Sequence, residues 1–398
     1  MNKALPIVLV GSGTAAAHAV KAIRKNGYQG GIHLFSDNIQ PPFNPMLITY
    51  YLGGKIPLNE CYLYGNNFDF YESHQVTLHN NTSVAQLNVK ESAVITASGQ
   101  KVNYQTCLIA SGASALVPPV PGAKSQRIFT IRTMEDAIRL REIYLDRPKK
   151  VVLVGASMVG IKLVEVFQQV GSEVYLVDLA PHVFAQAAHP ECARIMEEDL
   201  QRRGIKLILN SKVAGVDESK EKLKVSFAGD VPDLEADLLV FCIGVKPNLD
   251  YIQPGELAID RGILVDDRMC TSVANVYAAG DVAQGLNLLN QKKDVVALWA
   301  NACQQGLVAG ANMAGVYAVY PVSIPQNITH FFDVYFVSIG NIYQYDEIEK
   351  KHNNHTYSFY FKSKGKIVGV NFLSIGNYGL NNSEVIVRSE NLKTLNKD

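Results

Sequence analysis

The sequence predicts an α/β fold in which two parallel-sheet domains of one type, the second inserted into the first, precede a small α+β domain. Two observations point there. A short apolar run passes straight into a glycine-rich turn and then a helical pattern twice. It does so at residues 7–10 with Gly11-Ser12-Gly13-Thr14-Ala15-Ala16, and at residues 151–154 with Gly155-Ala156-Ser157-Met158-Val159-Gly160. A third apolar run, residues 271–279, ends in Gly280-Asp281 ahead of a helix-like segment that begins around Trp299.

Composition bounds the class. At ~150 residues per domain, 398 residues suggest two or three domains. A hydrophobic content of 47% and a charged content of 19% are ordinary for a soluble globular chain. Lys+Arg and Asp+Glu balance at 37 each, which argues against bulk binding to nucleic acid or a membrane surface. Cys61, Cys107, Cys192, Cys242, Cys270 and Cys303 are too scattered for a zinc ribbon, a ferredoxin-type cluster or a local redox disulfide, and they fit a reducing cytoplasm. The apolar residues 4–10 run directly into a glycine turn and so read as a first strand rather than a secretory signal. No apolar run reaches the ~18 residues a transmembrane helix requires.

The elements follow in order. After the strand at residues 7–10, Gly11 permits a tight turn and Gly13 lets the backbone approach a pyrophosphate. Ala16 allows close helix–strand packing, and Ser12, Thr14 and Ala15 complete the opening of the helix. Residues 32–35 form the next strand. Asp37 at its end is the expected acceptor for ribose hydroxyls, a solvated turn aspartate being the other reading. Residues 75–110 alternate as short strands. Residues 117–122, Val-Pro-Pro-Val-Pro-Gly, read as the crossing into the second domain, because proline presets the backbone and cannot continue a sheet, a generic Pro-rich turn being the other reading. Residues 134–145 have a helical pattern.

In the second turn, Ser157 occupies the place of the usual second glycine and crowds a pyrophosphate slightly. The following strand, residues 173–177, ends at Asp178, near the spacing of about twenty residues expected of a ribose-binding carboxylate. Residues 179–185 contain no Arg or Lys to receive a 2′-phosphate, which favours NADH over NADPH. Residues 239–248 resemble a hinge that returns the chain to the first domain, and Gly244 within them is an expected cofactor-binding residue. The predicted domains are therefore residues 1–122 with 242–324, residues 123–241, and residues 325–398. The last carries strands around residues 334–337, 357–362 and 366–372. His352, Asn353, Asn354 and His355 read as a polar hairpin loop rather than a metal site.

The two turns, the Ser111-Gly112 step and Ala278-Ala279-Gly280-Asp281 together resemble the FAD-dependent pyridine nucleotide oxidoreductases. The likeness extends over residues 5–320 and is nearest to NADH:rubredoxin or ferredoxin reductases and to the flavin region of NADH-dependent nitrite reductases. It implies two Rossmann-like domains, one for FAD and one for NAD(P)H, and a C-terminal α+β domain that makes partner or subunit contacts. Asp281 would hydrogen-bond the ribityl and phosphate part of FAD. Ser111 stands for the threonine of the family's Ala-Thr-Gly motif. Asn44 and Thr49 fall in the segment beside the isoalloxazine, where Phe43, Pro45 and Tyr50 replace the family's tyrosine, arginine and lysine. Met46 stands where single-cysteine relatives carry their redox cysteine. Lys162 occupies a position that is glutamate in many relatives, and reads either as a cation tuning the flavin or nicotinamide pocket or as a surface helix lysine. Trp299 contacts the flavin edge or is core.

The implied activity is hydride transfer from NADH to FAD, then electron transfer from the flavin to rubredoxin, ferredoxin or another iron–sulfur protein. No side chain is assigned as a catalytic proton carrier, no metal is expected, and the chain is expected to be a monomer or homodimer. An NADH oxidase using oxygen and a flavoprotein subunit of a larger redox assembly are the alternatives.

Overall fold

A computed structural model describes residues 5–219, 222–287, 292–321 and 326–376. They fall into two compact units. One comprises Met1–Tyr51, Ile56–Ser114 and Val245–Ser323, and the other Leu52–Lys55, Ala115–Gly244 and Ile324–Asp398.

The first unit is built on a parallel sheet with the strand order Val276–Ala278, Thr106–Ile109, Ile7–Val10, Ile32–Phe35, Val76–His79. The central strand is buried along its whole length, as expected of a parallel strand covered on both faces. Two helices, Thr14–Lys25 and Trp299–Met313, pack at very close range. A Cβ on Gly306 would stand 2.2 Å from the Ala15 carbonyl oxygen, and one on Gly310 would stand 2.4 Å from that of Ala19. Small residues one turn apart thus let two backbones meet.

The second unit repeats the plan with the strand order Lys206–Ile208, Glu173–Val177, Lys150–Val154, Leu238–Phe241, Ile128–Thr130, all parallel. Its C-terminal part is a five-stranded antiparallel sheet. Every regular element described within residues 326–376 is a strand. Phe331, Phe336, Phe361 and Leu373 from this sheet share one core with Phe184, Met196 and Leu200 of the nucleotide-domain part. Arg203 fixes the join: it bonds Asp199 at 2.6 Å, reaches Asp333, and lies 4.7 Å from the centre of the Phe332 ring. Asn353 and Thr356 pair at the hairpin end, with Asn354 at φ +49°. Among the described residues no helix is long and apolar enough to cross a membrane, and no cluster of metal-ligating side chains occurs.

Candidate functional site

The first glycine turn separates two reasons for glycine. Gly11 has φ +104°, and a Cβ there would lie 2.2 Å from the Ala110 carbonyl oxygen, so packing and backbone both demand it. Gly13 has an ordinary extended backbone, φ −70° and ψ −176°. A Cβ on it would meet nothing within 4 Å among the described residues. The protein itself has no need of glycine at position 13, and the space in front of it is open. Gly13 also precedes the Thr14–Lys25 helix without any side-chain cap. By contrast, the Met134–Leu145 helix is closed by a reciprocal capping box between Thr133 and Asp136. An open cradle facing uncapped helical N–H groups is the donor set a pyrophosphate needs, so these residues fit the phosphates of FAD.

Around this turn, Ser12 Oγ lies 2.8 Å from Ser36 Oγ, and buried Tyr71 donates to the Ser12 carbonyl at 3.1 Å. Ser36 is the residue directly after the second strand; Asp37 is the next one on and is exposed. Trp299 donates its indole N–H to Thr14 Oγ at 3.0 Å, which ties the second helix to the opening of the first. Ala15 is buried beneath it and lies against Gly280, whose φ is +82°. Buried Gln305 accepts the Gly280 N–H at 2.8 Å and so fixes the backbone immediately before Asp281.

Ser111 and Gly112, φ +65°, are held by residues far along the chain. Asn248 donates to the Ser111 carbonyl at 2.9 Å, the Asn248 carbonyl accepts the Ser111 hydroxyl at 3.0 Å, and Tyr251 donates to Ser111 Oγ at 3.1 Å. Asn44 caps the short Pro45–Leu47 turn by accepting the Met46 N–H at 3.0 Å, and Thr49 sits half-buried in the Ile48–Leu52 helix.

The second site has the same frame with different chemistry. Gly155, φ +112°, would place a Cβ 2.4 Å from the Cys242 carbonyl oxygen, and Gly160 would place one 1.8 Å from that of Gly155. The Met158–Gln169 helix starts from exposed Ser157 without a side-chain cap. Met158 and Val159, half-buried and exposed respectively, form its first turn. Asp178 directly follows its strand and accepts the Ala156 N–H at 2.5 Å and the Ala180 N–H at 2.8 Å. Its neighbour Leu179 is exposed and apolar. Gly244, φ +106°, closes the return segment of this unit.

Sequence left Lys162 between two roles, and the structure places it in a charged cluster. Burial, with Lys55 adding repulsion and Glu165 opposing both, brings the Lys162 ammonium down to about 8. Glu165 is itself buried and bonds Lys55 at 2.6 Å. The same three groups act on His330, which burial pushes below its ordinary value. Lys162 is therefore not an exposed surface lysine. Arg141 adds a bond of 2.6 Å to the Leu52 carbonyl, anchoring the short stretch that carries Lys55.

All six cysteines are free thiols. Burial raises Cys61, and raises Cys303 to about 11, so neither is a ready thiolate. The sequence assigns no role to Gln305, Asn248, Tyr251, Tyr71 or Glu165. Only Glu165, one turn after Lys162, carried a local signal.

The chain is similar to known proteins in sequence and in fold. Residues 5–306 match the family described as pyridine nucleotide-disulphide oxidoreductase. The chain is 31% identical over 336 residues to the NADH-dependent phenylglyoxylate dehydrogenase subunit epsilon of Aromatoleum evansii, covering 84% of this chain and 79% of that one. It is 27% identical over 353 residues to the rubredoxin-NAD(+) reductase of Pseudomonas putida, covering 88% and 91%. The crystal structure of a ferredoxin reductase from Rhodopseudomonas palustris superposes with a TM-score of 0.87 at 23% identity, covering 96% and 93%, a likeness in fold. With two nucleotide turns on duplicated parallel sheets and a family match spanning most of its length, the chain belongs to the pyridine nucleotide-disulphide oxidoreductases.

Proposed function

We propose that this protein is an FAD-dependent NADH oxidoreductase that delivers electrons singly to a small iron–sulfur protein of the rubredoxin or ferredoxin kind. The difference between its two nucleotide sites carries the reading. The first offers an open cradle at Gly13 with Asp281 nearby in the same unit, and takes FAD. The second reads a ribose through Asp178, followed by apolar Leu179 and no cation, and takes NADH. A 2′-phosphate would meet the carboxylate directly, so NADPH is the poorer substrate. The bound flavin supplies the hydride acceptance and one-electron release that side chains lack.

The protein's part is positioning. The uncapped N-termini of the Thr14–Lys25 and Met158–Gln169 helices would receive the two pyrophosphates. Asp281 would hold the flavin-bearing nucleotide, on a backbone that Ser111 helps to brace through Asn248 and Tyr251, and Asp178 would fix the adenosine end of NADH. Met46 at the position of a redox cysteine, and the raised thiols of Cys61 and Cys303, support direct electron exit from the flavin rather than through sulfur.

One relative bears on a second reading. The phenylglyoxylate dehydrogenase relative is a subunit, so this chain can equally serve as the NADH-oxidising member of a larger assembly. An anaerobic NADH titration of the purified chain, followed in the visible spectrum, tests the first step: stoichiometric bleaching of a bound flavin is expected, and a colourless chain that takes up no FAD refutes it. Rapid reduction of added rubredoxin or ferredoxin supports the carrier reading. Bleaching without transfer to any such carrier favours the assembly.

A further inference from the structure

The two glycine turns differ at one position whose residue the backbone does not dictate. Gly13 and Ser157 both immediately precede their helices in extended conformation, at φ −70°, ψ −176° and φ −108°, ψ −165°. Neither conformation requires glycine. Packing does not require it at Gly13 either, where a Cβ would find open space among the described residues. Gly155 and Gly160 are different, since a Cβ on either would collide with backbone. Of the four glycines in the two turns, Gly13 alone leaves open space for a Cβ, so the second position is one where a side chain changes the room left for a ligand without disturbing the backbone.

Ser157 fills that room, and its hydroxyl is not occupied with the usual task of such a residue. Asn44, Thr133 and His189 each accept an N–H from the turn or helix they open, whereas the Ser157 side chain makes no such bond and is exposed. A side chain at this point holds a pyrophosphate away from the first-turn N–H groups, and both the hydrogen bonds and the helix-dipole attraction fall steeply with distance.

We propose that Ser157 loosens the grip of the second turn, making it an exchange site that releases its dinucleotide in every cycle, while the open turn at Gly13 retains its own. Resting on the reading of the second site as the NADH site, this makes Ser157 a determinant of nicotinamide nucleotide residence. It gives two similar turns opposite duties, one for a resident group and one for a passing substrate.

The test uses the FAD-loaded full chain and NAD+ as the probe. Ser157→Gly is expected to lower the dissociation constant for NAD+ roughly three- to tenfold, to lower KM for NADH alongside, and to leave FAD content unchanged without raising kcat. Ser157→Ala, which keeps the Cβ and drops the hydroxyl, is expected to bind NAD+ like the parent. Unchanged or weaker binding in Ser157→Gly overturns the proposal. So does markedly weaker binding in Ser157→Ala, which would mean the hydroxyl holds the ligand. A parent chain that is bleached by NADH while Ser157→Gly gains nothing defeats this inference alone. A parent chain that neither binds NAD+ nor is bleached by NADH defeats the functional reading as well.

Discussion

The hydroxyls of Ser12 and Ser36 stand 2.8 Å apart in the first unit, at the two positions that Ala156 and Asp178 occupy in the second. The backbone fixes the correspondence. Gly11 donates to Phe35 as Gly155 donates to Val177, and Ser36 donates to His79 as Asp178 donates to Ile208. The first turn is therefore braced by a neutral hydroxyl pair, and the second by a carboxylate that accepts the Ala156 N–H. The first acidic residue past the Ile32–Phe35 strand is Asp37, which is exposed.

Asp178→Ala is expected to raise KM for NADH about tenfold or more and to affect NADPH less, so that the preference between them narrows. FAD content stays the same because Asp178 lies in the other unit. Steady-state kinetics with both nucleotides check this. An unmoved preference means that the carboxylate does not read the ribose.

Gly13→Ala and Gly11→Ala should separate binding from folding. The first leaves the melting temperature of the apoprotein unchanged while flavin content falls, since the added methyl meets only the ligand's space. The second forces a Cβ against Ala110 at positive φ and costs roughly 2–4 kcal/mol. Calorimetry of the apo chains and flavin absorbance of the purified proteins give the two readouts.

Asp281→Ala is expected to lower FAD occupancy of the purified protein by more than half, with free FAD restoring only part of it. The flavin-to-protein absorbance ratio measures this directly. Full occupancy in the variant removes Asp281 from the flavin site.

Lys162→Met should stabilise the protein at pH 7 by roughly 2–4 °C. The Lys162 ammonium, held down to about 8 chiefly by burial, is retained in the folded chain below that pH at an energetic cost. That cost is fully present below pH 8 and vanishes as pH rises toward the ordinary lysine value of 10.5. The gain from Lys162→Met therefore shrinks between those limits, which melting curves at pH 7, 9 and 10 resolve.

Acid should weaken the fold in a defined window. Burial is the largest cause lowering His18, His33, His79, His189 and His330 from the ordinary 6.5. The unfolded chain then takes up these protons first, so stability is full above pH 6.5 and is lost as pH falls toward the folded values. His189 adds a specific component. Its Nδ1 caps the Pro190–Arg202 helix by accepting the Glu191 N–H at 3.4 Å, and Tyr345 lies 3.0 Å from its Nε2. His189→Asn keeps a capping oxygen without a titrating ring, so the drop in melting temperature between pH 7.5 and 5.5 should be shallower than in the parent.

Much of this was legible in the sequence because its signals are local. The strand Ile7–Val10 and the helix Met134–Leu145 lie where apolar runs and helical spacing put them. Both glycine turns sit between a strand and a helix because strand, Gly and helix opener adjoin in the chain. Contacts between distant residues were not legible. Gln305 reaches Gly280 across 25 positions and Asn248 reaches Ser111 across 137, and neither side chain has a neighbour that marks it. Lys162 stayed ambiguous because its environment is made by Lys55 and His330, which arrive from other segments. The C-terminal sheet clusters with the second unit through an aromatic core whose partners lie well over a hundred residues upstream.

The interrupted layout of the first unit sets the order in which the molecule is made. Its opening strands leave the ribosome early, but the strand Val276–Ala278 and the helix Trp299–Met313 emerge only after residues 115–244. Domains fold as units in the order they are synthesised, so the parallel sheet of the second unit can form while the first waits with the edge of Thr106–Ile109 unpaired. The Gly280-Asp281 step is translated after that wait and ahead of the strands of residues 326–376, which makes flavin capture a later event than the folding of the inserted nucleotide part.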